Sequence, residues 1–299
     1  MSVVTIAAAQ YPIDWLADWG AYESKLSLWV RGAAEQGARL AVFPEYGAME
    51  LASLAPDTAG SLHGSLESVA ALAERVDDLH AGLAREYGLL IVAGSLPWRL
   101  DDGRFVNRAR IFSPNGRRGF QDKLVMTRFE NEQWHVSPGS DLTVFNTDIG
   151  KLGIAICYDS EFPLIARALC EAGVEILAVP TCTDTVHGYW RVRLGCQARA
   201  LENQCLVVQS PTVGLASWSP AVDENRGAAG FYCPPDGAFP DDGVVATGMP
   251  DQSRWVVASV DLASLRDLRA DGAVLNALDW QRQPGAKTLR TVRTVDLRS

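Results

Sequence analysis

No stretch of the 299 residues approaches 18 uninterrupted apolar positions, which excludes a membrane-spanning helix. The opening Met1-Ser2-Val3-Val4-Thr5-Ile6 has no basic segment followed by an apolar run and a small-residue cleavage site, so a cytoplasmic protein is expected. Cysteine is sparse. Cys157, Cys170, Cys182, Cys196, Cys205 and Cys233 form no C-x-x-C pair and are too few to staple a chain this long, so they read as reduced thiols. The four histidines (His63, His80, His135, His187) are scattered and no H-E-x-x-H occurs, so no metal is expected. Neither G-x-x-x-x-G-K-[ST] nor G-x-G-x-x-G appears between a strand and a helix, and no cofactor is expected. Positive charge is short as well: 27 Lys+Arg against 36 Asp+Glu leave a net charge of −9, which argues against nucleic acid or an anionic membrane as the main partner.

What is present is ample core material, at 47% hydrophobic and 21% charged residues. Residues 3–9 form an apolar run suited to a strand buried on both faces. Over residues 18–36, Trp19, Tyr22, Leu26, Trp29, Val30 and Ala33 recur at helical steps, and Gly37 supplies the stop. A second buried strand at 40–43 ends at Pro44, a long helix is expected over 65–87, and a strand over 89–94. Residues 104–112 with 117–123, and 142–147 with 151–156, read as hairpins. The α/β alternation then returns, with helices near 164–172 and 188–203, strands at 175–179 and 205–209, a last hairpin at 228–233 with 243–247, and a strand at 255–260. No repeat or linker interrupts this order, which points to one layered α/β domain over 1–265. In the tail 266–299, Arg282, Lys287, Arg290, Arg293 and Arg298 are accompanied after residue 280 only by Asp296; a solvated tail or a subunit-contacting arm is expected.

Three chemically capable residues stand at strand ends. Glu45 follows the strand at 40–43 and Pro44, Lys123 closes the strand at 117–123, and Cys157 follows the run Leu152-Gly153-Ile154-Ala155-Ile156. Each alone has a plainer reading, as a solvated loop acid, a solvent-facing amine and a core thiol. Together they supply a base, a cation and a nucleophile at the carboxyl ends of strands, where α/β sheets bind ligands.

Four segments in order carry a family resemblance: Phe43-Pro44-Glu45, Asp122-Lys123-Leu124 with Glu130 seven residues beyond the lysine, the run from Ile156-Cys157-Tyr158 to Pro163, and the run from Ala198-Arg199 to Gln204. The set resembles the nitrilase superfamily of carbon–nitrogen hydrolases. That resemblance implies a four-layer α-β-β-α sandwich, homo-oligomers built from helix-paired dimers, and a triad of Glu45 as base, Lys123 as oxyanion cation and Cys157 as nucleophile. It also assigns Glu130 a supporting role, with Glu132 two residues away as the competing position.

The chemistry asks for these residue types independently. A free thiol with pKa about 8.5 needs an adjacent base or cation before it attacks an amide. The Tyr158 backbone N–H, next to the nucleophile, is placed to join Lys123 at an oxyanion. A Cys-His pair is the rival arrangement, through His135 or His187. Trp15, Trp19 and Trp29 read as core or subunit contacts, whereas Tyr46, Trp134, Thr181 and Trp190 lie on or near pocket-forming segments and are candidate substrate contacts. Cys157-Tyr158-Asp159 looks like the amidase and carbamoylase branches and unlike the Trp-Glu that commonly follows the cysteine of true nitrilases. The expected activity is therefore hydrolysis of a small linear amide or N-carbamoyl compound through an acyl-enzyme, with water as acceptor. The alternatives are a nitrilase and a non-catalytic binding protein that keeps the fold.

Overall fold

The strand Val3–Pro12 lies at the centre of the molecule because both of its faces are apolar. Ile6 and Ala8 join one core with Val42, Val92, Ala109 and Ile111, while Ala7 and Ala9 join another with Tyr22, Leu26 and Val30 of the helix Trp19–Glu35. This is the two-residue period of a pleated strand with a layer on each side. The computed structural model describes residues 3–283 and 291–299; Met1, Ser2, Lys287 and Arg290 lie outside the described residues.

Val3–Pro12 pairs antiparallel with Arg254–Asp261 and parallel with Leu40–Val42, and Leu90–Arg99, Phe105–Phe112 and Arg118–Asp122 extend this first sheet. Its last two residues pair with a second sheet instead, Tyr11 opposite Thr212 and Pro12 opposite Val213. There Leu206–Leu215, Ile176–Thr181 and Gly150–Ile154 run parallel, with Leu142–Thr147 antiparallel beyond them. The two sheets enclose the first core, and at the far side Gly119 passes so close under Phe145 that a Cβ there would lie 2.6 Å from the ring. The mixed sheet thus nearly closes on itself. Helices Trp19–Glu35, Leu62–Ala70 and Ala73–Tyr87 cover one side, and Pro163–Glu171 and Val186–Asn203 the other, which is the expected α-β-β-α layering. Among the described residues no helix is long and apolar enough to cross a membrane.

Several expectations change. The long helix over 65–87 is two helices, Leu62–Ala70 and Ala73–Tyr87, because the chain tightens at Leu72, whose N–H bonds Val69 O three residues back. Leu66, Val69, Leu72 and Val76 keep helical spacing across the break, so periodicity alone does not reveal it. The strand expected at 89–94 runs on to Arg99 through a bulge at Gly94. The boundary at 265/266 falls inside the helix Leu262–Asp271. The described end of the tail is no solvated arm: Val292–Asp296 adds a parallel strand beside Leu142–Thr147, and the buried Leu297 accepts bonds from Ser113 and Asn115. Arg282 pairs with Asp279 and Arg298 with Asp296. Trp29 packs against Tyr11 and Trp255 as a core contact, whereas Trp15 is 52% exposed against the edge of Trp218 and is not a core residue.

Candidate active site

The site begins where Leu40–Val42 ends. Pro44 stops ladder pairing, Tyr46 takes a left-handed φ of 55°, and the turn carries Glu45 into the interior at 1% exposure. The neighbouring strand must pass directly beneath this turn. Gly94 permits it, with φ +73° and no Cβ where one would sit 1.9 Å from Pro44 O. Ser95 fastens the same turn, its N–H donating to Pro44 O and its hydroxyl accepting Tyr46 N–H.

Lys123 leaves the end of Arg118–Asp122 and is 1% exposed. Its Nζ lies 2.7 Å from Glu45 Oε1 and 2.6 Å from Glu130 Oε2. Glu130 belongs to the short helix Arg128–Glu132, where it forms a capping box with Thr127: its carboxylate accepts the Thr127 N–H and hydroxyl, and the Thr127 hydroxyl accepts the Glu130 N–H. Glu132 points out to pair with Arg128, so of the two neighbouring acids Glu130 is the buried one. Asn107 donates to Glu45 at 2.9 Å and to Glu130 at 3.3 Å, and Tyr46 OH donates to Glu130 at 2.9 Å.

Cys157 follows Gly150–Ile154 at the start of a 3₁₀ turn, Cys157–Glu161, with a left-handed φ of 47°. A non-glycine residue pays for that conformation, and it is held by its surroundings. Asp159 accepts the N–H groups of Leu124, Val125 and Ile156, and Ser160 Oγ donates to Cys157 O at 2.6 Å. Arg199, on the helix Val186–Asn203, donates to Ser160 O and forks onto Glu202. The family-like segment at 198–204 therefore braces the turn from behind. The Cys157 thiol donates to Cys182 O at 3.8 Å, and the Glu45 carboxyl is near enough to raise its proton affinity.

Electrostatics separates the roles. Burial pushes the Glu45 carboxyl above its ordinary value, Lys123 only partly reverses this, and the repulsion of Glu130 adds to the rise. Burial alone would lower Lys123, but Glu130 and Glu45 overcome it and hold the ammonium well above its usual range. Burial opposes the Glu130 charge too, yet Lys123 and Thr127 keep it below the ordinary carboxylate value. The Cys157 thiol is raised, first by burial and then by Glu45. The resting arrangement is a neutral thiol beside a cation and a carboxyl of raised proton affinity.

Cys157 opens onto a cavity of about 480 Å³ walled by Thr127–Phe129, Tyr158, Cys182–Thr185, Val192 and Pro220–Glu224. The candidate contacts divide. Tyr158 lines the cavity. Tyr46 is buried and bound to Glu130; Trp134 is buried behind it, 4.7 Å ring to ring, with its N–H on Leu62 O. Thr181 is fully buried with its hydroxyl on Ser210 O, and Trp190 is exposed beside Arg193, so neither Trp190 nor these three lines the cavity. His135 and His187 are exposed, neither lines the cavity, and among the described residues neither hydrogen-bonds Cys157. Asn107 and Asp159 received no role from the sequence, whereas the wall at 220–224 lies in the loop 215–226, which reads as pocket-forming without any single residue being singled out. Asn107 left a trace: it shares strand parity with the inward Ala109 and Ile111, so a polar side chain there is aimed inside.

Comparison with known proteins follows the same lines. A family model described as carbon-nitrogen hydrolase matches residues 5–270. The chain is similar to the probable hydrolase YhcX of Bacillus subtilis (strain 168), 34% identical over 279 residues that make up 93% of this chain and 54% of that protein. It is also similar to a deaminated glutathione amidase of Yersinia enterocolitica, 34% identical over 145 residues, 44% of this chain and 50% of the other. The stretches matched thus span about half the length of these two curated relatives. The crystal structure of a carbon-nitrogen hydrolase from Helicobacter pylori G27 superposes with a TM-score of 0.76 over 96% of this chain and 97% of that one, at 17% identity.

Proposed function

This chain belongs to the carbon-nitrogen hydrolase family, and from that premise we propose that it hydrolyses a small linear carboxamide or N-carbamoyl compound through an acyl-enzyme on Cys157. The observation that carries the reading is Lys123 Nζ, held between Glu45 and Glu130 beside a thiol on the cavity floor. As the sulfur attacks the carbonyl carbon, Glu45 takes the thiol proton, so no free thiolate has to persist in a buried setting that disfavours it. The developing oxyanion faces the Lys123 ammonium and the Tyr158 backbone N–H. Glu45 returns the proton to the leaving nitrogen, the C–N bond breaks, and a thioester remains. A water then gives its proton to Glu45 and attacks the thioester; the acid departs and Cys157 is reprotonated. Glu130 keeps Lys123 charged and in place, since its carboxylate is anchored by its own helix cap.

The amidase assignment draws on Tyr158-Asp159 after the nucleophile and on the relative named as an amidase. Homo-oligomerisation belongs to the same proposal. Val186, Trp190, Leu194 and Leu201 are all exposed along one stripe of the helix Val186–Asn203, with Leu164 exposed on the helix beside it. The deciding experiment is intact-mass detection of an acyl adduct on Cys157, with ammonia release, across primary amides, N-carbamoyl acids and nitriles. An adduct that is absent from Cys157→Ala and forms with amides or carbamoyl compounds supports the proposal. Turnover without any adduct at Cys157, or of nitriles alone, overturns it.

A further inference from the structure

Lys123 lies between two buried glutamates whose hydrogen-bond donors are unequal. Glu130 is engaged at both oxygens: Oε1 accepts Tyr46 OH at 2.9 Å and Asn107 Nδ2 at 3.3 Å, and Oε2 accepts Lys123 Nζ at 2.6 Å with the Thr127 N–H and hydroxyl at 2.9 and 2.8 Å. Glu45 is engaged at one. Its Oε1 accepts Lys123 Nζ at 2.7 Å and Asn107 Nδ2 at 2.9 Å, and among the described residues no N–H or O–H donor reaches Oε2. A carboxylate ringed by donors is a poor proton acceptor, so the free lone pairs of Glu45 Oε2 are the ones open to a proton.

The residue common to both carboxylates is Asn107, fully buried on Phe105–Phe112. Its Nδ2 carries two hydrogens, one for each glutamate, and the reversed amide would set an oxygen against two carboxylates. This orientation leaves Asn107 Oδ1 buried with no donor among the described residues, so the demand of the carboxylates has prevailed over its own. The Asn107 backbone carbonyl also accepts the Lys123 N–H at 2.9 Å. One residue therefore holds the lysine through the main chain and both acids through its side chain.

We propose that Asn107 is a positioning residue for the proton transfer: it locks Glu45 Oε1 beside Lys123, completes the donor shell of Glu130, and so assigns the thiol proton to Glu45 Oε2. This rests on the reading of Cys157 as nucleophile and Glu45 as base. In the step the S–H bond breaks and the proton joins Oε2, while the sulfur pair forms the bond to carbon and the carbonyl π pair moves to oxygen. Without the Asn107 amide, Oε1 keeps one donor and the carboxylate is free to turn Oε2 away from the sulfur.

Iodoacetamide tests the transfer without turnover, because alkylation of Cys157 releases iodide and hands the same thiol proton to Glu45. Peptide mapping separates Cys157 from Cys170, Cys182, Cys196, Cys205 and Cys233. At fixed pH, Asn107→Ala in the full chain is expected to slow alkylation of Cys157 about 10–100-fold, and to lower kcat on an amide by a similar factor with KM little changed. Glu45→Gln slows alkylation at least as far. Adding Asn107→Ala to Glu45→Gln brings no further loss, since Asn107 acts through Glu45, whereas general damage to the strand would multiply the two losses. Asn107→Ser, with one short hydroxyl, takes the place of the alanine variant if that does not fold, and the same non-additivity is expected. Losses that multiply in the double variant overturn the proposal. An Asn107 variant that alkylates and turns over like the native chain overturns it too, while leaving the hydrolase reading in place. Non-additive alkylation in a chain that hydrolyses no amide or carbamoyl compound would sink only the hydrolase reading.

Discussion

The Asp159 carboxylate accepts the Val125 N–H at 2.8 Å, and through this contact the turn that carries the thiol is tied to the segment that follows Lys123. Leu124 and Ile156 donate to the same group, so the spacing of Lys123 and Cys157 depends on a single buried acid. Burial pushes that acid up to about 7, against the pull of Lys123 and the three N–H donors. A folded-state pKa above the unfolded value means that the folded chain binds the proton more tightly. The associated stability is complete below about pH 4 and is lost as pH rises towards 7. In Asp159→Asn this dependence disappears. Urea midpoints measured from pH 4.5 to 7.5 are expected to show a shallower fall in the variant than in the native chain, and parallel curves would contradict this.

Glu45→Gln removes the proposed base while keeping one acceptor for Lys123. Without proton transfer at the thiol, kcat/KM on any amide that the native chain turns over is expected to drop about 10²–10⁴-fold, with the fold intact by circular dichroism. A loss smaller than tenfold would move the base elsewhere.

Asn107→Asp places a third carboxylate against Glu45 and Glu130. A like charge at that distance raises the Glu45 pKa further, and the base works only when ionised. The acid limb of the pH profile of kcat/KM is expected to move to higher pH, whereas Asn107→Ala lowers activity without that displacement. A limb that stays put in the aspartate variant would place the titrating group away from Asn107.

At Gly94 even an alanine is costly. Its Cβ would lie 1.9 Å from Pro44 O, and the backbone has a φ that side chains resist. Left-handed strain and overpacking together are expected to cost about 2–5 kcal/mol, read from urea unfolding. Because the clash falls on the Glu45 turn, residual activity is expected to fall as well.

Leu194 is 59% exposed at the middle of the apolar stripe on Val186–Asn203. Leu194→Glu is expected to shift sedimentation towards the monomer if that stripe pairs subunits, and an unchanged profile would locate the contact on another face.

Legibility followed locality. The strand ends that carry Glu45 and Cys157 are readable because each is set by a short apolar run, whereas Lys123 closes the largely polar strand Arg118–Asp122 and is legible as the end of a hairpin. Glu130 needed the Thr127 cap to be distinguished from Glu132, and that is also local. Asn107 depends on which face of its strand meets which sheet, a tertiary fact that parity suggests only once the core is known. Trp134 shows the opposite failure: it adjoins a site segment in the sequence, but its ring packs into the core behind Tyr46. The wall at 220–224 follows a loop path set by distant contacts, such as Ala216 N–H on Asp223 O and Arg226 N–H on Thr183 O, which no spacing rule anticipates.

The helix Arg128–Glu132 is a lever with two loads. Arg128 and Phe129 press on whatever occupies the cavity, and one residue later Glu130 grips Lys123. An occupant that displaces the helix also displaces the amine, so fit at this wall and alignment of the reacting groups are one adjustment. The wall at 220–224 bears no such double load, since Pro220–Glu224 makes no bond to Glu45, Lys123, Glu130 or Cys157 among the described residues. Changes in substrate range, by natural drift or in the laboratory, are cheapest there, and a library confined to 220–224 re-tailors the pocket while leaving the amine seated.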